Sequence, residues 1–267
     1  MPTVVEELAA LWRNRSLAWM LARRDLATRH AAAAGGALWA YIQPLLMVAA
    51  YYLLFDVVFA MRVGDGPSHT RAAGQFLIVG SLPWMAFCDA VGRGMNSLID
   101  AGSLLQKNAL PAVLFPVRAV IASTIVYGPL ILLVALAYGP AQHFPLAMLS
   151  LIPLLLLQLA LCAVLGYLLA ILAAALRDTV QIVTFLLSVG IFMSPVLFPM
   201  TMFPAQWRWV LWINPMTPIV SGYQSVLLEG AWPAAATWLG PMLWILVSAL
   251  LLGVVVKRSR DELVDWL

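Results

Sequence analysis

Apolar residues in this chain run in long blocks. Six blocks reach the roughly 20 residues that an α-helix needs to cross a hydrocarbon core. They cover 37–60, 73–92, 113–138, 145–176, 180–198 and 236–256. The fourth is long enough to require tilt or a start along the interface. Ahead of them, 4–30 places Leu8, Leu11 and Trp12, then Leu17, Met20 and Leu21, at i, i+3, i+4 spacing with arginines between. That pattern predicts an amphipathic helix on a membrane surface, broken at 14–16. The segment 198–233 is apolar but interrupted by Pro199, Pro204, Pro215, Pro218 and Pro233. Its uninterrupted pieces, 205–214 and 219–228, are too short to span. They predict short helices that dip into the outer leaflet or lie along it. Trp207, Trp209 and Trp212 suit the headgroup layer there.

Composition supports the same picture. Of 267 residues, 63% are hydrophobic and 10% charged, against about 25% charged in soluble domains. The expected fold is all-α and polytopic, one domain over 1–267. It comprises an interfacial segment 1–36, six transmembrane helices within 37–256 and a tail 257–267. Glu6 and Glu7 precede any apolar run, which speaks against a cleavable leader. The net charge is only +3, so placement matters more than size. With the N-terminus in the cytoplasm, the inside loops hold Arg13, Arg15, Arg23, Arg24, Arg29, Arg93, Lys107, Arg118, Arg177, Lys257, Arg258 and Arg260. The outside loops hold Arg62, Arg71 and Arg208. Twelve of the 15 basic residues on one side fix the expected topology, with both termini cytoplasmic. Cys88 and Cys162 fall inside apolar runs and are expected as packed thiols, unbridged.

Candidate chemistry is sparse. The dipeptide Gly-Lys is absent, so there is no phosphate-binding loop. His30, His69 and His143 fall in three separate segments, so no metal site or cofactor is expected and an enzyme reading lacks support. Asp89 and Arg118 lie at similar shallow depth in consecutive spans and are expected to form a structural ion pair. Asp56 is placed to reach the interface. In span one, Tyr41, Tyr52 and Phe55 fall near one helical face, with Tyr51 beside them. Aromatic packing and an aromatic lane able to stack on sugar rings both stay open. In the loop 92–118, Asn96 or Ser97 is positioned to cap a short helix that Pro111 keeps from running into the next span.

Five motifs resemble one family. "RRDLATRHAAAAGGALWAYIQPLLM", "GSLPWMAF", "LLQKNALPAVLFP", "SPVLFP" and "INPMTPIVSGYQ" occur in the order found in transmembrane subunits of ABC-2-type polysaccharide exporters. Gln43-Pro44-Leu45-Leu46 and Leu82-Pro83-Trp84 look most like the O-antigen, lipopolysaccharide-export branch. Where the family usually reads Lys-Lys-x-x-Phe-Pro, this chain has Gln106-Lys107-Asn108-Ala109-Leu110-Pro111.

The resemblance implies a homodimer in the bacterial inner membrane, with two ATP-binding subunits that hold the ATP and magnesium. It implies a lipid-linked glycan as cargo and no nucleic acid. It also implies a coupling helix, here Ser97, Leu98, Leu104, Leu105, Gln106 and Lys107, that docks onto the ATPase, and re-entrant helices before the last span. Arg23, Arg24 and Arg29 would sit where the lipid phosphate enters, or serve only as a topology anchor. Tyr41, Tyr51, Tyr52 and Phe55 would line the conduit. Capsule or teichoic acid export, and drug or lipid export, remain within the same fold; a membrane glycosyl- or acyltransferase is the alternative outside it.

Overall fold

The computed structural model describes residues 4–29, 35–59, 62–63, 71–108, 110–139 and 146–259. The three histidines, the alanines at 31–34 and the tail from Arg260 onward lie outside them. Two helices, α1 (Val4–Arg13) and α2 (Arg15–Arg29), open the chain. The break falls at Asn14, whose amide donates to the Ala10 carbonyl at 2.8 Å, as the sequence predicts. A 3-10 turn, Gly36–Leu38, leads into α3 (Trp39–Tyr51), which continues as a π-helix, Tyr52–Val58. A two-residue antiparallel pair, β1 (Arg62–Val63) and β2 (Arg71–Ala72), precedes α4 (Ala73–Asp100). Then come α5 (Gly102–Lys107), α6 (Leu114–Tyr138), α7 (Leu151–Ala175), α8 (Asp178–Gly190), α9 (Arg208–Ile213), α10 (Thr217–Gln224) and α11 (Ala235–Ser259).

Among the described residues, five helices are long and apolar enough to cross a membrane: Gly36–Val58, Ala73–Asp100, Leu114–Tyr138, Leu146–Ala175 and Ala235–Ser259. The expected fifth span, 180–198, is only half helical. α8 covers 13 residues, roughly 20 Å at about 1.5 Å each, and turns follow over 191–198. Pro195 explains the stop: it cannot donate to the carbonyl four residues back, and it pushes Ser194 out of the helical region.

α4 is the centre of the bundle. It packs against both α6 and α7, and 67% of its most apolar window is buried, against 6% for Gly36–Val58. Its approach to α7 depends on two glycines: a Cβ added at Gly94 would lie 3.1 Å from the Gly166 Cα. Between spans without a hydrophobic driving force, such backbone proximity is a main source of attraction. Side chains then tie the bundle across helices. Gln158 on α7 donates to the Pro83 carbonyl at 2.9 Å, and the Ser123 hydroxyl on α6 donates to the Ala86 carbonyl at 3.1 Å. Cys88 and Cys162 are both free thiols, the latter buried.

Asp56 does more than reach an interface. Its carboxylate accepts the Gly74 N–H at 2.7 Å and so satisfies an orphan donor in the first turn of α4. Gly74 is required for the approach, since a Cβ there would sit 2.5 Å from an Asp56 oxygen. We expect Asp56→Ala to cost about 1–2 kcal/mol, as for other lost helix caps, read as a lower denaturation midpoint in detergent with the fold kept. An unchanged midpoint would show that the cap carries no stability.

Candidate functional site

Mid-helix prolines set the polar geometry of the bundle. Pro129 has no N–H for the carbonyl of Ile125, and the Tyr41 hydroxyl fills that vacancy at 3.1 Å. Tyr41 is therefore spent on α6. The other aromatics of span one do not share its face. The π-helix from Tyr52 winds with a wider turn than an α-helix, which brings i and i+4 nearly into line. Tyr51 meets Phe55 with ring centroids 6.5 Å apart, and Phe55 meets Phe59 at 6.0 Å. Tyr52 points away and is exposed. The expected lane of Tyr41, Tyr52 and Phe55 is thus replaced by a ladder of Tyr51, Phe55 and Phe59.

Toward the α5 end, α2, α4, α6 and α8 enclose a polar cavity of about 510 Å3 lined by Asp25, Asp89, Arg93, Asn96, Arg118 and Thr184, among others. The expected Asp89–Arg118 pair is not formed. Asp89 instead bridges two arginines, Arg93 one turn on at 2.7 Å and Arg29 of α2 at 3.4 Å. Arg118 rests over the Phe115 ring, 5.2 Å from its centroid. Arg93 wins because it shares a helix with Asp89 at i+4 spacing. Arg118 still faces the same cavity.

The three expected phosphate arginines separate. Arg29 is buried, its side chain 5% exposed, and is held by Asp25 at 3.0 Å as well as by Asp89. A buried arginine with two carboxylates is a strut between α2 and α4, since removing either partner strands a charge. Arg23 and Arg24 are exposed and enter no ion pair among the described residues. α2 itself leans on α6 through Ala18 and Ala22, while Trp19 and Met20 stay exposed. The predicted apolar stripe is therefore not the buried one: two alanines permit a closer approach than leucine would.

The candidate coupling segment also divides. Ser97 and Leu98 belong to α4 and are buried. Asn96 and Ser97 donate back to the carbonyls of Gly92 and Gly94 at 2.8 and 2.6 Å, and cap nothing. The separate helix is α5, where Leu104, Gln106 and Lys107 are exposed and Leu105 packs partly inward. Asn108 turns extended at its end and donates to the Leu104 carbonyl at 3.1 Å.

α8 has a polar flank that the sequence reading did not single out. Gln181, Thr184 and Ser188 recur at i, i+3, i+7 and are all exposed. The two hydroxyls donate to carbonyls of their own helix, Val180 at 2.7 Å and Thr184 at 2.9 Å. The Gln181 side chain makes no hydrogen bond to another described residue. Thr184 lines the cavity, so this flank continues from it.

Beyond α8, the carbonyls freed by the broken backbone are met by side chains of "INPMTPIVSGYQ". Asn214 donates to the Gly190 carbonyl at 2.9 Å and accepts the Met216 N–H at 3.0 Å. Gln224 donates to the Pro195 carbonyl at 2.7 Å, and Thr217 donates to that of Leu211. The usable sequence signal for these residues is a side-chain amide within reach of a proline-interrupted apolar run.

The family model described as ABC-2 type transporter matches residues 16–228. The chain is 32% identical over 235 residues to the O-antigen export system permease protein RfbA of Myxococcus xanthus, covering 84% of this chain and 85% of that protein. It is 23% identical over 215 residues to the protein of the same description from Klebsiella pneumoniae, covering 79% and 80%. It is 21% identical over 242 residues to the polysialic acid transport protein KpsM of Escherichia coli, covering 90% and 91%.

Proposed function

Since the chain belongs to the ABC-2 type transporter family, in its O-antigen export branch, we propose that it is the membrane half of an ATP-driven exporter of a lipid-linked, O-antigen-like glycan. The observation that carries this reading is the polar flank of α8. Beyond its first turn, which holds Asp178 and Thr179, α8 is apolar except for a primary amide and two hydroxyls that face outward, continuous with a charged cavity at the α5 end. Polar side chains at membrane depth belong against a wet path or another polar surface. A second copy of the chain supplies the opposite wall, and the sparsely covered α3 lies against it or against lipid. The α5 end faces the cytoplasm, with both termini, where two ATP-binding subunits dock on α5. Hydrolysis takes place in those subunits, and this chain performs no chemistry of its own. The flank suits a glycan because the Gln181 amide both donates and accepts, and the hydroxyl oxygens of Thr184 and Ser188, whose protons go to their own helix, can still accept from sugar hydroxyls without one fixed register.

In a strain lacking the chain, surface glycan should disappear while lipid-linked glycan accumulates inside. Restoring the chain with Gln181→Leu and Ser188→Leu together should leave insertion intact and cut surface glycan about tenfold, the loss of one to two hydrogen-bonding sites. Full surface glycan in the deletion strain would sink the assigned cargo. Normal export by the double variant would move the path away from α8.

A further inference from the structure

On another face of the molecule, α6 and α7 leave an apolar groove of about 600 Å3 between them. Its walls are Val120, Ile121, Thr124 and Ile125 of α6 and Leu159, Ala160 and Ala163 of α7, and Trp19 of α2 closes one end. The single hydroxyl in the wall, that of Thr124, is already donated to the Val120 carbonyl at 2.7 Å. Nothing in the groove asks for a polar occupant. Ala160 and Ala163 provide its depth, because small side chains on α7 leave a channel that a leucine would fill.

The rim has the opposite character. Arg15 lies one helical turn before Trp19 and Arg23 one turn after it, so the three share a flank of α2. Both arginines are exposed. Arg15 sits 4.9 Å above the Trp12 ring, and Arg23 has no acidic partner among the described residues. A hydrocarbon slot capped by an indole and flanked by two unneutralised guanidinium groups matches an amphiphile with an anionic head. The indole marks the depth at which tail meets headgroup.

We propose that this groove is a binding site for an anionic phospholipid, one acyl chain lying between α6 and α7 and its phosphate held by Arg15 and Arg23. Arginine suits the role because its planar fork meets two phosphate oxygens at once. The bound lipid is a resident of the bilayer, independent of the cargo. It pins α2 to α6, reinforcing the contact that Ala18 and Ala22 make. This site also gives the exposed arginines of α2 a use that Arg29, locked in its ion pairs, does not share.

The test uses the full-length subunit with its ATPase partner in phosphatidylcholine vesicles containing a minor fraction of phosphatidylglycerol with a photoreactive acyl chain. Labelled peptides should map to 120–125 and 159–163. Ala160→Trp places an indole in the groove from an exposed position and should reduce that labelling about tenfold. Arg15→Gln with Arg23→Gln should reduce it about tenfold as well, near-surface arginines each contributing several-fold to anionic lipid binding. A diacylglycerol probe with the same tail should label weakly, and unlabelled phosphatidylglycerol should compete where phosphatidylcholine does not. Equal labelling by the uncharged probe, or labelling indifferent to both variants, would mean annular lipid only and overturn the proposal. Preferential displacement by a polyprenyl phosphate would overturn it too, by giving the groove to the transported lipid. The competition arm needs no variant, so a poorly folding Trp substitution leaves the test intact.

Discussion

Gly94→Leu should leave almost no folded subunit, whereas Gly92→Leu, two residues away on the same helix, should fold normally. A Cβ at Gly94 meets the Gly166 backbone at 3.1 Å, and backbone cannot rotate aside as a side chain can; a Cβ at Gly92 meets nothing within 4 Å. Leucine at 94 therefore drives α4 and α7 apart along the contact that organises the bundle. Overpacking of this kind costs about 1–3 kcal/mol when neighbours yield, and more when they do not. Because the obstacle here is backbone, the loss exceeds that range and approaches the lower end of a typical folding stability of about 5–15 kcal/mol. Gly166→Ala should be milder, because a Cβ there lies 3.6 Å from the Gly94 Cα, an ordinary contact. Membrane-extracted yield and the denaturation midpoint of the three variants check this. Equal midpoints for the two leucine variants would mean that the α4–α7 crossing does not depend on glycine.

Leu104→Asp should abolish co-purification of the ATPase and, with it, export. Leu104 is the exposed apolar residue of α5, 39% accessible, on a helix otherwise presenting Ser103, Gln106 and Lys107. An anchor of this type at an interface centre is worth roughly 2 kcal/mol or more, at least thirtyfold in affinity, and a carboxylate adds the cost of burying charge. Leu104 separates docking from folding in a way that Leu105 does not. Leu105 packs against the cluster built on Leu98, Phe115 and Ile171, so changing it would confound docking with folding. If the Leu104 variant keeps its partner and exports at the parental rate, docking lies elsewhere than on α5.

Much of this architecture was legible because long apolar runs and proline interruptions act locally. The break at Asn14, the isolation of α5 before Pro111 and the short helices between Pro204 and Pro233 follow from residues within a turn or two. Features decided by helix phase were not legible. Nothing in Tyr52–Val58 announces a π-helix, yet its wider winding turns the aromatic lane to Tyr51, Phe55 and Phe59. Depth alone matches Asp89 to Arg118, but Arg93, one turn on along the same helix, and Arg29 of α2 take its carboxylate instead. Ser97 and Leu98 looked like loop because 93–100 is polar enough to end a span, but α4 runs on where α7 and α6 cover it. The arginines of α2 read as one patch in sequence; burial of a single side chain separated Arg29 from Arg23 and Arg24.

The hydrogen bond from Tyr41 to the carbonyl freed by Pro129 has a consequence in time. Its partners are 84 residues apart in sequence. At the usual synthesis rates of about 5–20 residues per second, the ribosome needs roughly 4–17 s to deliver the acceptor after the donor. The first span therefore leaves the ribosome before the native acceptor of its phenol exists, and α4 likewise waits for Gln158. During those seconds the nascent subunit lacks both of these ties between its helices. Slowing elongation between the first and third spans should lengthen that interval and raise the share of chains handed to quality-control proteases.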